Sequence, residues 1–164
     1  MEEKYELVDI NGQNTGRVLN GFEAYDIKNI PEGFYIAVVG VVIINTKNEV
    51  LLQKRSRFKK ANPGKWGICG GKVNLGETPI IAGIRETFEE IGINLNDKDF
   101  NFLSHTILNK TYFSIFYIKQ DVNIIECKLQ KEEVEEIKYF KIEELESLDS
   151  EGFEWLESLK RLIK

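Results

Sequence analysis

The stretch that decides the fold runs from Gly71 to Ile93 and reads GKVNLGETPIIAGIRETFEEIGI. Pro79 suits the first turn of a helix, where its missing N–H costs nothing, and Thr78 before it is a capping residue. Gly92 follows the last periodic residues as a C-terminal stop. These signals predict a helix from Pro79 to Ile91. At about 100° per residue, Ile80, Ile81, Ile84, Phe88 and Ile91 fall within one arc. Glu86, Glu89 and Glu90 share the opposite arc, because i, i+3 and i+4 are neighbours on a helix surface. Ala82 and Gly83 point to the acidic side one turn earlier and are expected to border open volume beside the acids.

That acidic face lacks a complement. Within the helix only Arg85 offers an i,i+4 partner, to Glu89, and in the weaker orientation. Carboxylates held this close repel and raise each other's pKa unless a cation intervenes. A hard divalent ion with oxygen ligands relieves the repulsion, and Mg²⁺ commonly takes a few carboxylates together with substrate phosphates and water. The face is therefore expected to bind metal.

Gly71, Glu77, Arg85, Glu86, Glu89, Glu90, Gly92 and Ile93 stand at the spacing Gly-x5-Glu-x7-Arg-Glu-x-x-Glu-Glu-x-Gly-aliphatic. This pattern resembles the Nudix box, with its span at 71–93, the signature of enzymes that cleave diphosphate bonds in nucleoside diphosphate derivatives. With Glu at about one residue in eight, Gly at about 8% and Arg at about 3%, the seven fixed letters have odds on the order of 10⁻⁵ of arising by chance in such a chain. Thr87 departs, standing where the family usually carries an aliphatic residue. The resemblance implies an α+β fold, an α/β/α sandwich around a mixed β-sheet. It also implies Mg²⁺, with Mn²⁺ as the alternative, held by Glu86, Glu89, Glu90 and the carbonyl of Gly70. Catalysis would rest on Glu86, Glu89, Glu90 and an acidic residue downstream, for which Glu133 just before Val134 matches best; Glu86 and Glu133 are both open as the base. Glu77 and Arg85 would support the acids. In the basic run before the box, Arg55 ends a strand and is the first candidate to touch substrate phosphate.

Tyr5–Gly16, Val50–Ser56 and Asn62–Trp66 also look like the Nudix branch related to isopentenyl-diphosphate isomerase. Cys69 lies close to where the isomerase cysteine would fall. Three features oppose an isomerase. The chain has one histidine, His105, whereas the isomerases hold metal largely with histidines; the box retains all its acids; and the Cys69–Glu77 spacing differs by one residue. Cys69 reads better as a small buried hydrophobe. The expected activity is hydrolysis of a nucleoside diphosphate linked to another moiety, with the isomerase and a non-catalytic diphosphate-binding module as rivals. Phe58, Trp66, Tyr112 and Phe113 could stack on a nucleobase but read better as packing residues.

The 164 residues, 42% hydrophobic, suffice for one core and show no linker, so a single domain over 1–164 is expected, with 1–33 as an N-terminal hairpin extension. Net charge of −5 argues against nucleic acid or an anionic membrane as partner; a small-molecule diphosphate substrate is what the resemblance implies. A homodimer is left open. MEEKYELVDI lacks the apolar stretch of a signal peptide, and Cys69 and Cys127 fit no zinc motif, so a cytoplasmic protein with reduced thiols is expected. Strands are expected at Tyr5–Val8, Gly16–Leu19, Ile36–Ile44, Val50–Lys54, Tyr112–Ile118 and Glu135–Phe140, and less strongly at Ile124–Leu129. Ile142–Leu148 and Gly152–Ile163 read as helices, the second with Trp155, Leu156, Leu159, Leu162 and Ile163 on one face.

Overall fold

Asn11-Gly12 turns the chain between β1 (Lys4–Val8) and β2 (Asn14–Asn20), which pair antiparallel in a computed structural model describing residues 2–164. Gly12 takes φ 75°, and the Asp9 carboxylate accepts from the N–H groups of Asn11 and Gln13, so the turn closes on its own side chain. A short helix, α1 (Gly21–Tyr25), follows behind an Asn20–Glu23 capping box. The β-branched run then forms β3 (Tyr35–Ile44), and Asn45–Asn48 returns the chain into β4 (Glu49–Arg55). Two short strands come next, β5 (Trp66–Gly67) and β6 (Cys69–Lys72), then α2 (Pro79–Ile91). The last strands are β7 (Asn101–Leu108), β8 (Thr111–Lys119) and β9 (Val134–Lys141), and α3 (Leu156–Leu162) ends the fold.

All nine strands belong to one mixed sheet organised around β3. Along one edge β3 pairs antiparallel with β1, β6 and β4 in turn; along the other it runs parallel to β8, from Ile36 opposite Thr111 to Ile44 opposite Lys119. Strands β7 and β9 extend the sheet from β8 and β4. Successive β3 side chains point to opposite faces, so each face collects its own core. Val42 and Ile44 join Val50, Leu52, Leu145, Trp155 and Leu159 beneath α3, while Val41 and Ile43 join Leu51, Ile91 and Ile118 beneath α2. Helical elements on both sides of a mixed sheet make the α+β three-layer arrangement that the sequence predicts.

Three elements differ from expectation. Ile124–Leu129 is no strand: Asn123 caps a single 3₁₀ turn at Ile124–Glu126. Ile142–Ser147 is 3₁₀ rather than α-helical, and α3 is shorter than its periodicity suggests, leaving Leu162 half-exposed. The predicted helix at Pro79–Ile91 has both expected caps, with Thr78 accepting from Ile81 N–H and Gly92 left-handed at φ 76°. It is nonetheless turned about its axis. Ala82, Gly83, Thr87, Glu90 and Ile91 are buried, while Ile81 and Phe88 are about half exposed. Ala82 packs with Val39 and Val73, and a β-carbon on Gly83 would meet Val41 at 3.0 Å and Phe100 at 3.1 Å. The two small residues thus let the helix approach the sheet and do not border open volume beside the acids. Thr87 fills the aliphatic place in full burial, its Oγ1 without a hydrogen-bond partner.

Candidate active site

Because α2 lays its small-residue side on the sheet, its carboxylates arrive against β6. There the strand is glycine for steric reasons. A β-carbon on Gly70, where φ is 156°, would stand 2.1 Å from the Val39 carbonyl oxygen, and one on Gly71 would stand 2.4 Å from the Glu86 carboxylate. The bare strand admits both acids: Glu86 lies beside Gly71, and Glu90 accepts from the Gly70 N–H at 3.1 Å.

Glu90 is only 5% exposed. Burial pushes its carboxyl up to about 8; the Gly70 N–H opposes the shift and the Glu86 charge adds to it. Burial also raises Glu86, against the lowering influence of Arg85. Arg85 gathers the remaining acids. Its Nε and Nη2 donate to the two oxygens of Glu77 at 2.7 and 2.9 Å, and Nη1 donates to Glu86 at 2.7 Å and reaches Glu89 at 3.5 Å. Nη2 also donates to the Lys72 carbonyl, tying the helix to β6. The guanidinium holds Glu77 below the usual carboxylate range, and Glu77 accepts from the Asn74 N–H as well. The expected partners Glu77 and Glu89 are therefore both engaged, with Glu86 between them.

Glu133 follows α2 on a turn tied to the helix's C-terminal end. Gln130 N–H donates to the Glu90 carbonyl, and a turn from Gln130 carries Glu133 to where its charge bears on Glu90. Its carboxylate pairs with Lys59 at 2.5 Å. Within the basic run Lys59 is the residue paired with Glu133. Arg55 donates to the Ala61 carbonyl at 2.7 Å, lies 3.6 Å from Glu151, and lines a neighbouring cavity.

That cavity, about 350 Å³, opens beside Gly70 and Gly71 on the α3 side of the sheet. Ile68, Phe113, Ile115 and Trp155 wall it, with Arg55 and Glu151 at its polar margin. Of the four aromatic candidates only Phe113 lines it. Trp66 packs edge-on against Phe140, Tyr112 stacks on His105, and Phe58 is 86% exposed. Glu151 and Trp155 escaped sequence reasoning because nothing local marks them: they reach the cavity through Trp66, whose N–H donates to the Asp149 carbonyl while its carbonyl accepts from Glu151. Cys69 is 4% exposed and its Sγ lies 3.4 Å from Gln53 Oε1; burial, then the Glu90 charge, pushes the thiol well up. A thiol so held is a packing residue.

Among the described residues no three His, Cys, Asp or Glu side chains are grouped tightly enough to hold a metal as they stand. Arg85 pairs with Glu86 and Glu89, whereas Glu90 lies against the Gly70 N–H. The donor chemistry nevertheless suits a hard divalent cation. Glu90 is a buried carboxyl group that accepts from a peptide N–H, with Gln53 and Cys69 also within reach and Glu86 and the Gly70–Gly71 backbone beside it.

The NUDIX domain family model matches residues 34–160, and this chain belongs to that family, whose hydrolases generally use divalent metal ions. It is therefore an enzyme of the Nudix hydrolase class. A Nudix hydrolase of Listeria monocytogenes, described as uncharacterised, is 32% identical over 136 residues, covering 80% of this chain and 76% of that protein. An isopentenyl-diphosphate Delta-isomerase of Streptomyces coelicolor is 33% identical over 90 residues, covering 54% of this chain and 43% of that enzyme. A crystal structure of a Deinococcus radiodurans protein superposes with a TM-score of 0.72 at 19% identity, covering 99% of this chain and 100% of that one. No helix among the described residues is long and apolar enough to cross a membrane.

Proposed function

We propose that the protein is a divalent-metal-dependent pyrophosphohydrolase that cleaves the diphosphate bond of a nucleoside diphosphate linked to another moiety. The observation that carries this reading is the pair of acids, Glu86 and Glu90, seated against a strand kept bare by Gly70 and Gly71. Glu86, Glu89, Glu90 and the Gly70 carbonyl would hold Mg²⁺ or Mn²⁺. When bound, such an ion supplies Lewis acidity, offsetting charge on the diphosphate oxygens and acidifying water.

The chain's own residues do the rest. Arg85 orients Glu86 and Glu89, and Glu77 anchors Arg85. A carboxylate, Glu86 or Glu133, takes a proton from water as its oxygen attacks one phosphorus; the bridging P–O bond breaks and a phosphate-bearing anion leaves. The cavity beside Gly70 and Gly71 receives the group beyond the diphosphate, with Arg55 at its margin. A net charge of −5 favours a small-molecule substrate over a polynucleotide. The buried, raised thiol of Cys69 weighs against the isomerase reading.

The test is a substrate panel with Mg²⁺ or Mn²⁺: nucleoside diphosphate sugars, dinucleoside polyphosphates, nucleoside triphosphates, dinucleotide cofactors, coenzyme A and isopentenyl diphosphate. A phosphate-bearing product from one of the nucleotides, lost on chelation, supports the reading. Isomerisation of isopentenyl diphosphate with no cleavage overturns it.

A further inference from the structure

Lys72 follows Gly71 on β6 and, among the described residues, forms no salt bridge. Arg85 is engaged by Glu77, Glu86 and Glu89, Lys59 by Glu133, and Arg55 lies against Ala61 and Glu151. The Lys72 ammonium instead lies 3.8 Å from the centre of the Tyr25 ring and 5.4 Å from that of Tyr5. Burial lowers the Lys72 pKa, opposed by the charges of Glu3 and Glu86, and its carbonyl accepts from the same Arg85 guanidinium that donates to Glu86.

Both rings come from the segment before residue 34, where the family match begins. Tyr5 is buried in β1, and its hydroxyl donates to Glu3 at 2.6 Å. Tyr25 ends the capped helix α1 and is 72% exposed, so a large part of its ring is spent on neither core nor neighbour. The segment is also tied to the box itself, Leu75 N–H donating to the Lys4 carbonyl at 2.7 Å. A cation over an aromatic face is attracted by the ring quadrupole yet keeps its N–H donors for another acceptor.

We propose that Tyr25, with Tyr5 behind it, is a positioning residue that holds the Lys72 ammonium beside Glu86, where it meets a phosphoryl oxygen of bound diphosphate. The inference rests on the diphosphate reading given above. It makes the N-terminal hairpin and α1 part of the substrate site.

The probe is methylene diphosphonate, which cannot be hydrolysed, titrated calorimetrically with Mg²⁺ present into the full chain. Lys72→Met and Tyr25→Leu each weaken binding by about fivefold or more, and Tyr25→Phe, which keeps the ring face, recovers most of the loss. The double variant Tyr25→Leu, Lys72→Met is no weaker than Lys72→Met alone, because the tyrosine acts through the lysine. Tyr25 is exposed, so its variants retain the wild-type melting temperature. Binding by Tyr25→Leu as tight as wild type, equal losses in the Leu and Phe variants, or additive losses in the double variant each overturn the proposal and leave the hydrolase reading standing. A wild-type chain that binds no diphosphonate overturns this proposal too; whether the hydrolase reading falls with it is decided by the substrate panel.

Discussion

Gly71 and Glu86 compete for one space: a β-carbon on the glycine would stand 2.4 Å from the carboxylate carbon of the glutamate. The atoms in the way are the far end of a flexible side chain, so the conflict is relieved by moving Glu86 rather than by breaking the sheet. Gly71→Ala is therefore expected to fold with a melting temperature within about 3 °C of wild type, a cost of at most about 1 kcal/mol. Cleavage should fall by about tenfold or more as the displaced carboxylate loses its place. A variant with full activity would show that Glu86 need not lie against β6.

Glu90→Gln removes a carboxyl group that can ionise toward a cation while keeping the shape and the acceptor for Gly70 N–H. Cleavage should fall by more than about 100-fold, the scale for losing a preorganised electrostatic contact, and so should it for Glu89→Gln. Circular dichroism should show both variants folded. Undiminished turnover in both would remove the acids from the chemistry.

Gly83→Leu separates the two orientations of α2. An exposed helical glycine gains by this change, since its propensity cost is about 1 kcal/mol. Here the new side chain meets Val41 and Phe100, so the variant is expected to lose about 1–3 kcal/mol through overpacking, read as a lowered denaturant midpoint at unchanged slope.

Glu77 gives the fold an acid-side dependence. Its carboxyl is held low by Arg85, so below the ordinary carboxylate range the unfolded chain binds the proton that the folded chain refuses. Stability from this pair is full at neutral pH and drains away as pH falls through the folded-state value. Glu77→Gln should be about 1–2 kcal/mol less stable than wild type at pH 7, with the gap closing below about pH 4. Paired melting curves from pH 7 to 3 measure it.

Cys69→Ala should leave cleavage within about threefold, because a buried protonated thiol contributes packing rather than chemistry. Loss of cleavage comparable to that of Glu90→Gln would give the thiol a chemical part.

The box helix was legible because its ends are marked by residues with one job each: Thr78, Pro79 and Gly92 stand where caps and stops must stand. Its rotation was not. Counting apolar residues by arc weights Ile81 and Phe88 most heavily, whereas close approach to a sheet is governed by the absence of side chain at Ala82 and Gly83. The acids were legible as a group, but their burial depends on Gly70 and Gly71 lying opposite them on another element. Strand β7 escaped notice because NFLSHTIL mixes polar and apolar residues without clean alternation; only its pairing with β8 makes it a strand. Lys59 and Lys72 were hidden for a similar reason, as their partners lie far along the chain.

The parallel seam between β3 and β8 has a consequence for how the chain assembles. During synthesis β3 emerges early, and β4, β6 and α2 can settle on it while its other edge waits for Thr111–Lys119. A pairing so distant in sequence closes slowly, and an open apolar strand invites a second chain in the meantime. The nascent protein thus carries α2 in place before the strand that seals the sheet exists, and its yield on refolding should fall steeply with protein concentration.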